Sequence, residues 1–186
     1  MVASIRPVTL PSWAATGDVP TILDLEASGF GRDSYPIEVG FVLPDGSSFC
    51  TLIRPAPDWT HWDPAAEQIH HIRREALMKH GRDVTEVARL LNDQLRGRTV
   101  FSDGWAHDYP WLSALYESAG MQPSFKLDSL RRLLNEQQAQ DWHATLQAVS
   151  NELQAPRHRA SADARRLQLT LQRVRGALPP ALQPAG

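Results

Sequence analysis

The chain has 186 residues, 42% hydrophobic and 22% charged, a globular composition with enough apolar material for one domain and its core, which excludes a disordered chain or a disulfide-stapled miniprotein. Nineteen Lys and Arg against 21 Asp and Glu leave a net charge of -2, so bulk charge does not draw the molecule to nucleic acid or anionic lipid and any such binding is local. The single cysteine, Cys50, excludes an internal disulfide and reads as a core thiol in a reducing compartment. No apolar run approaches the roughly 18 residues that span a bilayer, and residues 1–19 lack a secretion signal, so the expectation is a cytoplasmic protein without a membrane segment.

Residues 1–19, with Pro7, Pro11 and Gly17 and no period, read as an N-terminal extension. The domain proper spans 20–175, and the Pro/Ala-rich stretch 176–186 reads as a flexible tail. Within the domain, Pro20 to Leu25 is a short apolar run. Ile37 to Leu43 is a second, and Asp45-Gly46 joins it to a third, Ser48 to Arg54, as a hairpin. Asp63-Pro64 has the form of an N-cap with proline at the first helical position. Val84, Val87, Ala88, Leu91 and Leu95 mark one face of an amphipathic helix. Thr99 to Ser102 reads as a strand, Trp111 to Ala119 as a helix ended by Gly120, Phe125 to Leu127 as a brief strand, and the rest to Val174 as helices. Strands first, then strands alternating with helices, predict an α/β fold with a mixed sheet covered by helices.

Three segments carry possible chemistry. Asp24-Leu25-Glu26 closes the first strand, and residues two apart on a strand share a face, so both carboxylates project together. A solvated strand edge would explain the triplet equally well, but Thr21-Ile22-Leu23 buries the strand and Ala27-Ser28-Gly29 supplies small residues that let a substrate backbone approach. His158 and Asp163 open the last helix, five residues apart, an offset of about 500° that brings both near one face. Alternatively Asp163 supports the helix N-terminus and His158 is a surface residue. The third segment runs from Val100 to Leu112, a strand leading to the acidic residues Asp103 and Asp108 and then to a helix. Strand carboxyl ends are where α/β sheets bind ligands, although Asp103 or Asp108 could equally cap the helix, and Trp105 and Trp111 could be core.

In this order the three segments resemble the DEDDh family of 3′-5′ exonucleases, a branch of the ribonuclease H-like fold that includes proofreading exonuclease subunits, oligoribonuclease and ribonuclease T. The resemblance runs from about Thr21 to about Leu171. Asp24, Glu26, Ser28 and Gly29 match the first motif, and His158, Ala160, Asp163 and Ala164 the third. Asp108 takes the acidic place of the second, with His107 where an aromatic is usual. Trp62 to Ile72 resembles a linking segment of many members, and Asp128 stands where they carry an Asp after a strand. The chain departs from the family at Asp103-Gly104, where His-Asn is usual.

The resemblance implies a ribonuclease H-like mixed sheet flanked by helices, and hydrolysis of phosphodiester bonds at single-stranded DNA or RNA 3′ ends with two divalent ions, Mg²⁺ or Mn²⁺. Such ions take carboxylate ligands. Asp24 would bridge both, Glu26 and Asp163 would complete the first, Asp108 would hold the second through water, and His158 would be the general base. Leu25, Ala27, Ser28 and Trp105 are the candidate substrate contacts, with Trp105 a possible stacking platform. From Arg157 to Arg175 the sequence has six Arg and one acid, Asp163, a local positive charge beside the site or a solvated helix face. Two other readings of the same fold are a non-catalytic nucleic-acid-binding module and a ribonuclease H-type endonuclease.

Overall fold

The computed structural model describes residues 19–153 and 159–176. In chain order it has β1 (Thr21–Ala27), β2 (Pro36–Val42), β3 (Ser48–Leu52), α1 (Pro64–His70), α2 (Arg74–His80), α3 (Val84–Leu95), β4 (Thr99–Ser102), α4 (Trp105–Ala119) and β5 (Lys126–Ser129). A 3-10 turn (Leu130–Leu133), α5 (Glu136–Leu153) and α6 (Ala160–Val174) follow. The strands lie in the order β3-β2-β1-β4-β5. β1 is antiparallel to β2 and β2 to β3, whereas β1, β4 and β5 are parallel. This is the mixed sheet that the sequence predicts, flanked by helices.

Alternation along the central strand sorts its residues between two cores. Leu23, Leu25 and Ala27 pack with Val39 and Phe41 of β2 against Val87, Leu91 and Leu95 of α3 and Leu112 and Leu115 of α4. On the other face Ile22 joins Val42 and Phe101 against Trp142 of α5 and Ala164, Leu167 and Leu171 of α6. Asp24 and Glu26 continue the Ile22 row, so the acids face α6.

The register across β2 explains how α6 reaches them. Ile22 pairs with Val42, Asp24 with Gly40 and Glu26 with Glu38. Gly40 therefore stands beside Asp24, and a β-carbon there would come 2.6 Å from the Ala160 carbonyl carbon and closer still to the Ser161 nitrogen. Only a residue without a side chain lets the first turn of α6 rest on the sheet at this spot. The helix is also tied down lower on the sheet, where the Gln168 amide donates to the carbonyls of Pro20 at 3.0 Å and Leu43 at 2.9 Å.

Local signals explain most element boundaries. Asp63 accepts from the Ala65 N–H and Asp83 from the Thr85 N–H, both at 2.8 Å, as side-chain N-caps of α1 and α3. Gly120, at φ 61°, ends α4 in the left-handed region. The start of α4 differs from the sequence reading: the helix begins at Trp105, six positions before Trp111, and runs through Pro110. A proline in the second turn removes one N–H but leaves the first turn intact, and that turn carries Asp108. β5 is shifted to Lys126–Ser129, because Phe125 packs into the α3–α4 core before the strand pairs with β4. Cys50 is half-buried on the edge strand β3 instead of lying in the core. Among the described residues no helix is long and apolar enough to cross a membrane.

The Gly40→Ala substitution should destabilise the protein by roughly 2–4 kcal/mol, since backbone has to move to admit the methyl group. Chemical denaturation with tryptophan fluorescence would read the loss, and an unchanged midpoint would contradict the close approach of α6 at Gly40.

Candidate active site

Parallel β1 and β4 end at the same edge of the sheet, the edge at which α/β sheets bind ligands. β1 brings Asp24 and Glu26 there, β4 leads through Ser102 into the first turn of α4 with Asp108, and α6 contributes Asp163 from its first turn. Carboxylate oxygens of Asp24, Glu26 and Asp163 lie within 4.8 Å of one another. Asp108 lines the same cavity of about 450 Å³. It is buried, and the Ser102 hydroxyl donates a hydrogen bond to its carboxylate. Four acids assigned from separated segments thus line one cavity.

Gly104 lies at the N-cap of α4, and a β-carbon there would stand 3.1 Å from an Asp108 oxygen. The Asp103-Gly104 departure from the family pattern therefore falls on the wall of the site: Asp103 also lines the cavity, and Gly104 leaves Asp108 unobstructed.

Asp24, Glu26 and Asp108 hold their protons more tightly than ordinary carboxylates. Burial pushes the Glu26 carboxyl up to about 7, helped by Glu38 and Asp108 and opposed by Arg159 and Arg166. Burial likewise raises Asp108 to about 7 against the Ser102 hydrogen bond. Asp24 is shifted well upward by burial and then by Asp108 and Glu26, with Arg166 pulling the other way. Arg166, three residues after Asp163 on α6, ion-pairs with it and lines the cavity. Crowded, desolvated oxygen donors with raised proton affinity are the donor set that a hard divalent cation suits, and the residues present fit such an ion.

Beside the acids the cavity wall is apolar and aromatic, built from Leu25, Ala27, Phe30, Ile69, His107 and Trp111. Phe30 is 65% exposed and meets His107 edge-on at 5.3 Å, and His107 stacks on Trp111 at 5.9 Å. Leu25 and Ala27, two of the candidate substrate contacts, are therefore in the cavity. Ser28 is not: it is buried, 3.0 Å from His61 Nδ1, and its hydroxyl accepts from the Tyr35 N–H at 3.1 Å. Trp105 lies on the far side of α4, tilted against Tyr109 at 5.4 Å in a second groove with Lys126 and Arg132. Asp128 lines that second groove and is held by Lys126 and Arg132. His158 lies outside the described residues, as do 1–18 and 177–186, which cover nearly all of the extension and tail.

Sequence reasoning missed Phe30, Ile69, Arg166, Ser102 and Glu38. For Arg166 the signal was available, since an i+3 neighbour of Asp163 shares its face. For Phe30 and Ile69 there was none, because a wall assembled from a loop and a short helix has no period.

No protein-family model matches the sequence, and no curated protein matches it. Solved structures do, and they give the chain the fold of exonuclease I and of Pop2p, a mixed five-stranded sheet flanked by helices. E. coli exonuclease I, solved with a dA16 oligonucleotide, superposes with a TM-score of 0.62 at 13% identity over 85% of this chain and 42% of its own. Exonuclease I from Methylocaldum szegediense gives 0.62 at 17% identity over 84% of this chain and 40% of its own. Pop2p from S. pombe, solved with Mg²⁺ and Mn²⁺ bound, gives 0.55 at 13% identity over 89% of this chain and 85% of its own. The chain thus spans about two fifths of the exonuclease I chains and most of Pop2p.

The raised carboxyls fix a sign for pH dependence. Below the ordinary carboxylate range the acids are neutral whether folded or unfolded, and the stability this allows is lost as pH rises through about 7, where they ionise in the cavity. Thermal scans of the metal-free protein should show Tm falling from about pH 5 to about pH 8, less so in Asp24→Asn. Mg²⁺ or Mn²⁺ should raise Tm more at about pH 8 than at about pH 5, because ions compete with protons for these oxygens. Equal metal effects at both values would contradict the clustering.

Proposed function

We propose that the protein is a metal-dependent 3′-5′ exonuclease that hydrolyses phosphodiester bonds at single-stranded nucleic-acid ends. The observation that carries this reading is the convergence of Asp24, Glu26, Asp108 and Asp163 in one cavity with an apolar and aromatic wall. A neighbour of the same fold solved with an oligonucleotide and another with Mg²⁺ and Mn²⁺ support it.

Asp24 would hold both of two divalent ions, Glu26 and Asp163 one of them, and Asp108 the other. When bound, the ions neutralise charge on the attacking and leaving oxygens. The chain's own groups do the rest. His158, five residues before Asp163, takes the proton of the attacking water on an imidazole nitrogen as general base. Arg166 offers a guanidinium to the non-bridging phosphate oxygens at the edge of the acidic floor. Leu25, Ala27 and Phe30 take the terminal base, whose π-face suits an apolar and aromatic wall without hydrogen-bond readout. Trp105 and Tyr109, across α4, offer a second stacking surface to the same strand.

Digestion of end-labelled single strands tests the reading. Stepwise shortening that chelation abolishes and Mg²⁺ or Mn²⁺ restores is expected, with a 3′-phosphate blocking and a 5′ block without effect. Internal cuts would indicate an endonuclease, and binding without shortening a non-catalytic module. Asp24→Asn should lose at least about 10³-fold in rate while staying folded. His158→Ala should lose about 10²–10⁴-fold in the single-turnover step at saturating metal. An unchanged step there would remove His158 from the mechanism.

A further inference from the structure

Another carboxylate lies beside the site and takes no part in lining the cavity. Glu38, at the middle of β2, is fully buried and stands directly across from Glu26 in the register. Oε1 accepts from Arg159 Nε at 2.9 Å and Nη2 at 2.7 Å, while Oε2 accepts from the Ala160 N–H at 2.8 Å and from Arg159 Nε at 3.2 Å. An ionised carboxylate has about four acceptor positions; three N–H groups from the start of α6 engage both oxygens, and the Cys50 thiol of β3 adds a further hydrogen bond. Its role as an additional metal ligand is thereby disfavoured: its lone pairs are engaged away from the cavity.

We propose that Glu38 is a positioning residue that latches the first turn of α6 to the sheet and so sets where Asp163 stands against Asp24 and Glu26. This rests on the reading of the acids as a metal site. The physical case has three parts. A negative group at a helix N-terminus is favoured by the unpaired N–H groups and the dipole there. Burying a charged pair is a poor way to gain stability but a good way to fix one arrangement over others. And Gly40, two residues along β2 on the same face, removes the steric obstacle to contact, so attraction and clearance act on the same turn. Asp163 follows Ala160 by three residues, less than one helical turn, so a slide or tilt at the latch reaches the Asp163 carboxylate undiminished.

The test is Glu38→Gln, which keeps the size and removes the charge, leaving an amide that cannot accept from all of these donors. Electron paramagnetic resonance would measure Mn²⁺ affinity without any turnover, and amide hydrogen exchange would follow the first turn of α6. The expected result is Mn²⁺ affinity weakened about 10-fold or more, the scale of losing a group that orients a ligand, with faster exchange at the start of α6 and unchanged exchange in α3. A folded Glu38→Gln protein with wild-type Mn²⁺ affinity would overturn the proposal, even with a lowered Tm, since that is what a purely structural role predicts. If Glu38→Gln does not fold, Arg159→Met decides, because it removes only the half-exposed partner: a loss of about 3-fold or more in Mn²⁺ affinity supports the latch and no loss overturns it. Digestion assays on the wild type separate the two readings. Wild-type protein that binds Mn²⁺ but leaves 3′ ends intact defeats the exonuclease and not the latch, whereas wild-type protein that binds no Mn²⁺ defeats both.

Discussion

Carboxylates crowded into a cavity repel one another, and burial withholds the water that would screen them. Asp24, Glu26, Asp108 and Asp163 meet under those conditions, and much of the surrounding architecture answers that repulsion. Ser102 donates to Asp108, Arg166 pairs with Asp163, and protons are retained on Glu26 and Asp108 up to about 7. Each is a partial substitute for positive charge. A scaffold that stabilises like charges in one place, at a cost to its own folding, has the character of a site selected for binding or chemistry over stability.

The sheet supplies the rigidity that this arrangement needs. β1 is central, with an apolar core on each face, and its alternation aims Asp24 and Glu26 at α6 while Leu23 anchors the strand from behind. α6 is held at two heights, by Gln168 low on the sheet and by Glu38 at its first turn, with Gly40 permitting the contact between. α4 supplies Asp108 from a turn that survives because Pro110 falls beyond it. Elements from both ends of the sequence therefore meet at one sheet edge, with the acids on backbone that packing and hydrogen bonds hold on several sides.

What the sequence disclosed follows from which features are periodic. Asp24 and Glu26 could be placed on one face because strand alternation is strict, and the hairpin and α3 were readable from turn chemistry and apolar spacing. Asp108 was assigned by resemblance, yet its position within the helix was hidden because the helix was expected to begin only at Trp111, after Pro110. Ser28 matched a motif but spends its hydroxyl on Tyr35 and stands beside His61, a partnership between distant segments that no local pattern encodes. Glu38 read as one more residue in an apolar strand, since its meaning depends on a helix 122 residues later. The wall of Phe30, Ile69 and Trp111 was beyond reach for the same reason: three segments contribute one residue each.

The central claim is that these four carboxylates are one divalent-metal site, and anomalous diffraction from crystals grown with Mn²⁺ and a nucleoside 5′-monophosphate addresses it directly. The account predicts two Mn²⁺ peaks that share Asp24, one also against Glu26 and Asp163 and the other on the Asp108 side, with the phosphate between them and Arg166 turned from Asp163 toward it. A cavity without Mn²⁺ peaks, with Arg166 still paired to Asp163 and the nucleotide bound elsewhere, would contradict it.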